Sequence, residues 1–145
     1  MLSWHFPDYF YHTSLDAIDK VDPVELKHVG TVAMTAALTL ASASETTALR
    51  TVEAALASAE DRFASELRNS KAGLTHIPRG PKRLVQETEE RSILMAWARW
   101  YEETIDSVWG LPVAETGDAF FIRLERAKQQ IGKRLATALG VIGQE

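Results

Sequence analysis

Gln86-Glu87, Glu90, Glu103 and Asp106 are the residues whose types and spacing could do chemistry. Carboxylates three apart share one face of a helix. Two such pairs brought together would offer the oxygen ligands that a magnesium ion takes. The spacing opposes that convergence. Nothing between Glu90 and Glu103 breaks a helix. On one continuous helix Glu87 and Glu103 stand about 24 Å apart at 1.5 Å per residue and point about 160° apart at 100° per residue. The residue-level reading is therefore that Glu103 and Asp106 are solvated, with Arg99 nearby. Glu87 and Glu90 fall on the apolar side of the same helix, where a carboxylate needs a partner. Arg83, Arg91 or an arginine of another chain would serve.

Other catalytic patterns are missing. His5, His12, His28 and His76 form no HxxxH or HExxH. His5, Asp8, His12 and Asp16 could group around a metal, but the aromatics among them favour a packed arm. There is no GxSxG elbow, P-loop or GxGxxG. The chain has no cysteine, which excludes disulfides, thiolate metal sites and cysteine nucleophiles. No metal or cofactor is expected. Two binding features stand out instead. Trp4, Phe6, Tyr9, Phe10 and Tyr11 put five aromatics into the first twelve residues, out of twelve in the chain. Tyrosine and tryptophan are enriched at interface hot spots, so this arm is the candidate partner-binding element. Arg79, Lys82 and Arg83, in HIPRGPKR, stand at the start of a helix and are the candidate contact for an anion or an acidic partner.

The acidic pattern also has a likeness. QExxE, twelve residues, then ExxD resembles the EExxE…ExxD signature of the MazG-like all-α nucleotide pyrophosphohydrolases. The resemblance covers about 21 residues and departs from the signature at its first Glu, where Gln86 stands. It implies that Glu87, Glu90, Glu103 and Asp106 are metal ligands, and that water attacks a nucleoside triphosphate with magnesium bound.

The elements that must position these residues are helical. Asp22-Pro23 marks a helix start, and the first helix runs over about 22–42. Residues 29–44 carry no formal charge. His28, Thr31, Thr35, Thr39 and Ser42 fall within a band of about 80°, with valine, alanine, leucine and methionine around the rest. The stretch is short of the ~18–20 apolar residues a membrane span needs, so it reads as a central, mostly buried helix. Ser42 to Glu45 reads as a capping box opening a second helix over about 44–70. Leu49, Val52, Leu56, Ala59, Phe63 and Leu67 recur in steps of three and four, a narrow seam. Lys71 to Pro81, with two glycines and two prolines, reads as a loop. A third helix spans about 81–109 and a fourth about 117–140. Arg123, Arg126, Lys133 and Arg134 lie opposite the apolar face of the fourth.

At 145 residues, 46% apolar and 25% charged, the chain is expected to be one all-α domain. The predicted fold is four-helix bundle-like, with residues 1–21 as an aromatic N-terminal arm. The net charge of −4 does not suggest a dedicated nucleic-acid binder. Residues 1–70 hold 5 Lys/Arg against 10 Asp/Glu, and residues 71–145 hold 11 against 10. The N-terminus has no basic n-region, so a secretory signal is not expected. The preferred function is a non-catalytic helical assembly or interaction protein. Its partner would be itself or a larger assembly, such as a phage particle or a protein bound by an inhibitor or immunity-type chain. It would be cytoplasmic, or built into a particle assembled there. The MazG-like hydrolase is the alternative. A weak nucleic-acid module, using Arg79, Lys82, Arg83 and the basic residues of the fourth helix, is the third.

Overall fold

Asp22 opens the first helix by a local bond pattern that the sequence made legible. Its carboxylate accepts from the backbone N–H groups of Val24 (2.7 Å) and Glu25 (3.3 Å), satisfying donors that a helix start leaves open. The computed structural model describes residues 9–142. These residues hold four α-helices and no strand: α1 (Pro23–Ala41), α2 (Glu45–Thr75), α3 (Pro81–Ser107) and α4 (Asp118–Ile142). Short 3₁₀ turns lie at Ile18–Lys20 and Val108–Gly110. The fold is all-α and bundle-like. The chain divides into two units, residues 1–42 and residues 43–145.

The second unit is an up-down-up bundle of α2, α3 and α4. Cross-helix bonds fix its directions. Tyr101 meets Ser58 and Glu90 meets Ser70, so α2 and α3 are antiparallel. Lys128 meets Asp106 on the next antiparallel pair. The α2 seam supplies Ala48, Val52, Ala55, Ala59 and Phe63 to the core. Leu94, Ala98, Tyr101 and Ile105 come from α3, and Phe120, Leu124, Ala127 and Ile131 from α4. Val108 closes the end at the 3₁₀ turn.

Three sequence expectations are corrected. First, α1 has no buried residue, so it is not a central, buried helix. The absence of charge in a stretch shows what water does not favour there. It does not show that the same chain covers it. Second, the α2 N-cap is Ser44, whose hydroxyl accepts from Thr47 N–H at 3.2 Å. Ser42 instead ends α1, donating its hydroxyl to the Leu38 carbonyl at 2.7 Å. Third, α2 continues through Thr75 rather than stopping near residue 70. Ser70 and Leu74 extend the three-and-four seam beyond Leu67 and are buried. That burial outweighs the single helix-interior glycine, Gly73, which costs about 1 kcal/mol against alanine.

The chain turns sharply at Gly80, the N-cap of α3, with φ 154° and ψ −172°. This region is open essentially to glycine alone. Pro81 follows at the first helical position, where its missing N–H is harmless.

Candidate interaction surfaces

The four carboxylates of the metal-site reading each have a different neighbour. Because α3 is continuous from Pro81 to Ser107, Glu87 and Glu90 stay at one end and Glu103 and Asp106 at the other. Glu87 accepts from Arg83 Nε at 2.9 Å. Glu90 takes the Ser70 hydroxyl and the Gln86 amide, both at 2.7 Å. Glu103 accepts from Arg99 Nε at 2.8 Å, and Asp106 pairs with Lys128 at 2.8 Å. Among the described residues no three His, Asp or Glu side chains come together as metal ligands would. The spacing foretold the Arg99 neighbour of Glu103 and allowed the Arg83 partner of Glu87. Glu90 differs, since its partners are neutral donors rather than an arginine.

Ser70 shows why. It is 2% exposed on the α2 seam, so its hydroxyl needs an acceptor inside the bundle. Glu90, one helix away, supplies it. No buried side-chain nitrogen or oxygen among the described residues lacks a hydrogen-bond partner. Glu90 and Asp106 thus tie α3 to its neighbouring helices, whereas Glu87 and Glu103 pair with arginines of α3 itself.

The basic segment is divided in role. Arg83 turns inward: besides Glu87 it donates Nη1 to the carbonyls of Leu74 (3.1 Å) and Ile77 (3.2 Å). Carbonyls at the end of α2 have no helical partner, so the guanidinium ties the α2 terminus to α3. Arg79 and Lys82 are exposed.

Of the aromatic arm, Tyr9, Phe10 and Tyr11 are described, and Trp4 and Phe6 lie outside the described residues. Tyr9 is 80% exposed. The Lys20 ammonium lies 5.2 Å from the centre of the Phe10 ring. Tyr11 stands against His12, with ring centres 3.9 Å apart. Farther along the same unit, α1 exposes Val24, Leu26, Val29, Val32, Met34, Leu38 and Leu40. Among the described residues no helix is long and apolar enough to cross a membrane.

Two aromatic surfaces of the bundle escaped sequence reasoning. One is an open groove of about 570 Å³ between α2 and α3, walled by Ser58, Arg62, Ser65, Trp100 and Tyr101. The Arg62 guanidinium lies 4.2 Å from the centre of the Trp97 ring, a cation–π geometry. Trp100 meets Tyr101 edge to face, with centres 4.8 Å apart. The other surface pairs Trp109 with Phe121 edge to face at 5.7 Å, over a cleft lined by Asp106, Leu124 and Glu125. Trp109 also stacks on buried Phe120. Trp100 follows Trp97 on α3 and is 52% exposed.

Lys128 bridges Asp106 and Glu125, at 2.8 and 2.6 Å. Hydrogen bonds first to Asp106 and then to Glu125 raise the pKa of its ammonium above the ordinary lysine value. The bond from Arg99 to Glu103 likewise raises the guanidinium pKa. These are carboxylates with cations in place.

Comparison with family models, curated proteins and solved structures gives no match to the chain.

Proposed function

We propose that the protein is a non-catalytic helical assembly protein that works by contact with other protein chains, its own copies first. The observation that carries this reading is α1. This helix bears no charge from residue 29 to its end at Ala41, has no buried residue and exposes seven large apolar side chains. Monomers in water rarely leave so much contiguous apolar surface open, and such surface commonly marks an interaction site. Ala33, Ala37 and Ala41 recur every four residues along the helix, so a partner helix could approach its backbone closely. The exposed Tyr9 and half-exposed Tyr11 of the arm add to the same unit the residue type that interfaces favour. A particle component and a protein-inhibiting binder are both settings in which a chain acts by such contact alone.

The solution mass of the full chain tests this, by light scattering across a range of concentrations. An oligomer that Leu38→Glu dissociates, with helicity retained by circular dichroism, is the expected result. A monomer at every concentration that co-purifies with no other chain would overturn the reading.

A further inference from the structure

The two ends of the α2–α4 bundle carry opposite charge. Residues 67–86 hold five Lys/Arg and no carboxylate, whereas residues 100–122 hold five carboxylates and no Lys/Arg. The first run makes the α2–α3 turn and the second the α3–α4 turn. Between them lies α3, whose 27 residues span about 40 Å at 1.5 Å per residue.

Helix stability accounts for part of this arrangement. Arg68 and Lys71 suit the C-terminal half of α2, and Asp118 suits the start of α4. The ordering along α3 is the reverse of what its dipole favours. It has no acid in its first turn and no base in its last, while Lys82 and Arg83 begin it and Glu102, Glu103 and Asp106 end it. Internal pairs then satisfy Arg83, Glu103 and Asp106. Arg68 and Lys82 at one end, and Glu102 and Glu115 at the other, have no ion pair among the described residues.

Each charged end also exposes apolar side chains. Leu84 and Val85 stand beside Lys82 and are 64% and 61% exposed. Trp109 and Phe121, 50% and 49% exposed, stand with Val113 among the carboxylates. Opposite charge together with apolar surface on both faces is what a self-complementary contact between different ends requires.

We propose that copies of this chain associate head to tail, the basic end of one bundle (Arg68, Lys82, Leu84, Val85) seated on the acidic, aromatic end of the next (Glu102, Glu115, Trp109, Phe121). The contact joins two different patches, so it is heterologous. A joined pair leaves an acidic patch free on one subunit and a basic patch free on the other, so the assembly either closes as a ring or extends as a filament. The proposal uses bundle residues only and so stands or falls apart from the α1 reading.

Sedimentation velocity of the full chain at about 50 mM and about 500 mM salt tests it, because screening weakens contacts between exposed charges. The expected result is a mass above that of the monomer that falls as salt rises. Two double variants decide the geometry: Arg68→Glu with Lys82→Glu leaves the basic end three Lys/Arg against two carboxylates, and Glu102→Lys with Glu115→Lys leaves the acidic end three carboxylates against two Lys, so each nearly cancels the charge of one end and places repelling charges in the proposed contact. Each alone should lose the salt-sensitive association. Mixed in equal amounts they should associate again, since the mixture restores one native basic end facing one native acidic end. Circular dichroism checks that each variant folds. Mass insensitive to salt, variants that associate like the parent, or a mixture that stays dissociated would overturn the proposal. So would a salt-sensitive shift that requires added nucleic acid. Leu38→Glu separates the two readings: it should leave the salt-sensitive contact intact.

Discussion

Tyr101 donates its phenolic O–H to the carbonyl of Ser58, 3.0 Å away across the α2–α3 pair. The ring is 5% exposed and belongs to the core, so one side chain supplies both apolar contact and a bond to the α2 backbone. The two contributions can be separated. Tyr101→Phe keeps the ring and removes one hydrogen bond, for an expected loss of about 0.5–1.5 kcal/mol. Tyr101→Ala also opens a cavity and should cost about 3–5 kcal/mol. Urea midpoints of the two variants check this. Equal losses would mean that the ring contributes nothing.

Ser70 and Glu90 should behave as a coupled pair. Glu90→Leu removes the acceptor of a buried hydroxyl and is expected to cost about 1–3 kcal/mol. Ser70→Ala alone should cost less, because Glu90 keeps Gln86. In the double variant the unsatisfied hydroxyl is gone, so the two losses should not add. A double-mutant cycle measures the coupling. Additive losses would show that the 2.7 Å contact is energetically idle.

That pair also marks where the sequence stopped being legible. Local rules located Asp22 and Pro81 because capping and the proline ring act within a few residues. The seam from Leu49 to Phe63 was readable because period follows from helix geometry. Ser70 and Glu90 are twenty residues apart on different helices, and no spacing announces them. Lys128 and Asp106 are another such pair, created by the α3–α4 packing. Gly73 and the nearby prolines read as one loop, yet Ser70 and Leu74 continue the buried stripe and carry α2 through Thr75. For α1 the sequence described the surface correctly, but what covers a surface is a property of the neighbour and cannot be read from the helix itself.

The α2–α3 turn depends on two residues with different physics. Gly80→Ala should destabilise the bundle by about 1–3 kcal/mol, because the backbone there is one that residues with a Cβ avoid. Crowding is not the reason, since nothing lies within 4 Å of where the Cβ would stand. Arg83→Met should cost about 1.5–3 kcal/mol through lost charge-assisted bonds. Arg83→Lys should recover little of that, since an ammonium cannot reproduce the planar fork that reaches Glu87, Leu74 and Ile77. Thermal melts of the three variants decide between these accounts. Full rescue by lysine would mean that charge alone matters.

Lys128 gives a pH prediction with a definite sign. Its pKa is raised in the folded chain by Asp106 first and Glu125 second. A cation whose folded value is raised stabilises the fold fully below its unfolded value, about 10.4. That contribution is lost as pH rises through the folded value. The effect on stability is therefore flat through neutral pH and appears only in the alkaline range. Both carboxylates are well exposed, so screening limits the contribution to about 1 kcal/mol or less. Following the Lys128 side-chain NMR shift with pH should show Asp106→Asn lowering the titration midpoint, and Glu125→Gln lowering it less. An unchanged midpoint in Asp106→Asn would remove the ion pair from the account.

Leu94 and Val32 make the sharpest comparison between the two units. Leu94 is fully buried at the centre of the bundle, and Leu94→Ala should cost about 2–5 kcal/mol whatever the protein concentration. Val32 is exposed on α1, and a substitution at such a site normally shifts stability by no more than about 0.5 kcal/mol. If α1 is covered by another copy, that rule holds only in dilute solution. As concentration rises, Val32→Ala should become destabilising, because folding is then linked to association by mass action. Melting both variants across a concentration series distinguishes the cases. A Val32→Ala loss comparable to that of Leu94→Ala at the lowest concentration would place α1 within a core of its own chain. A loss that grows with concentration would place it against a second copy. No loss at any concentration would leave the face unused, and the assembly reading would lose its main support.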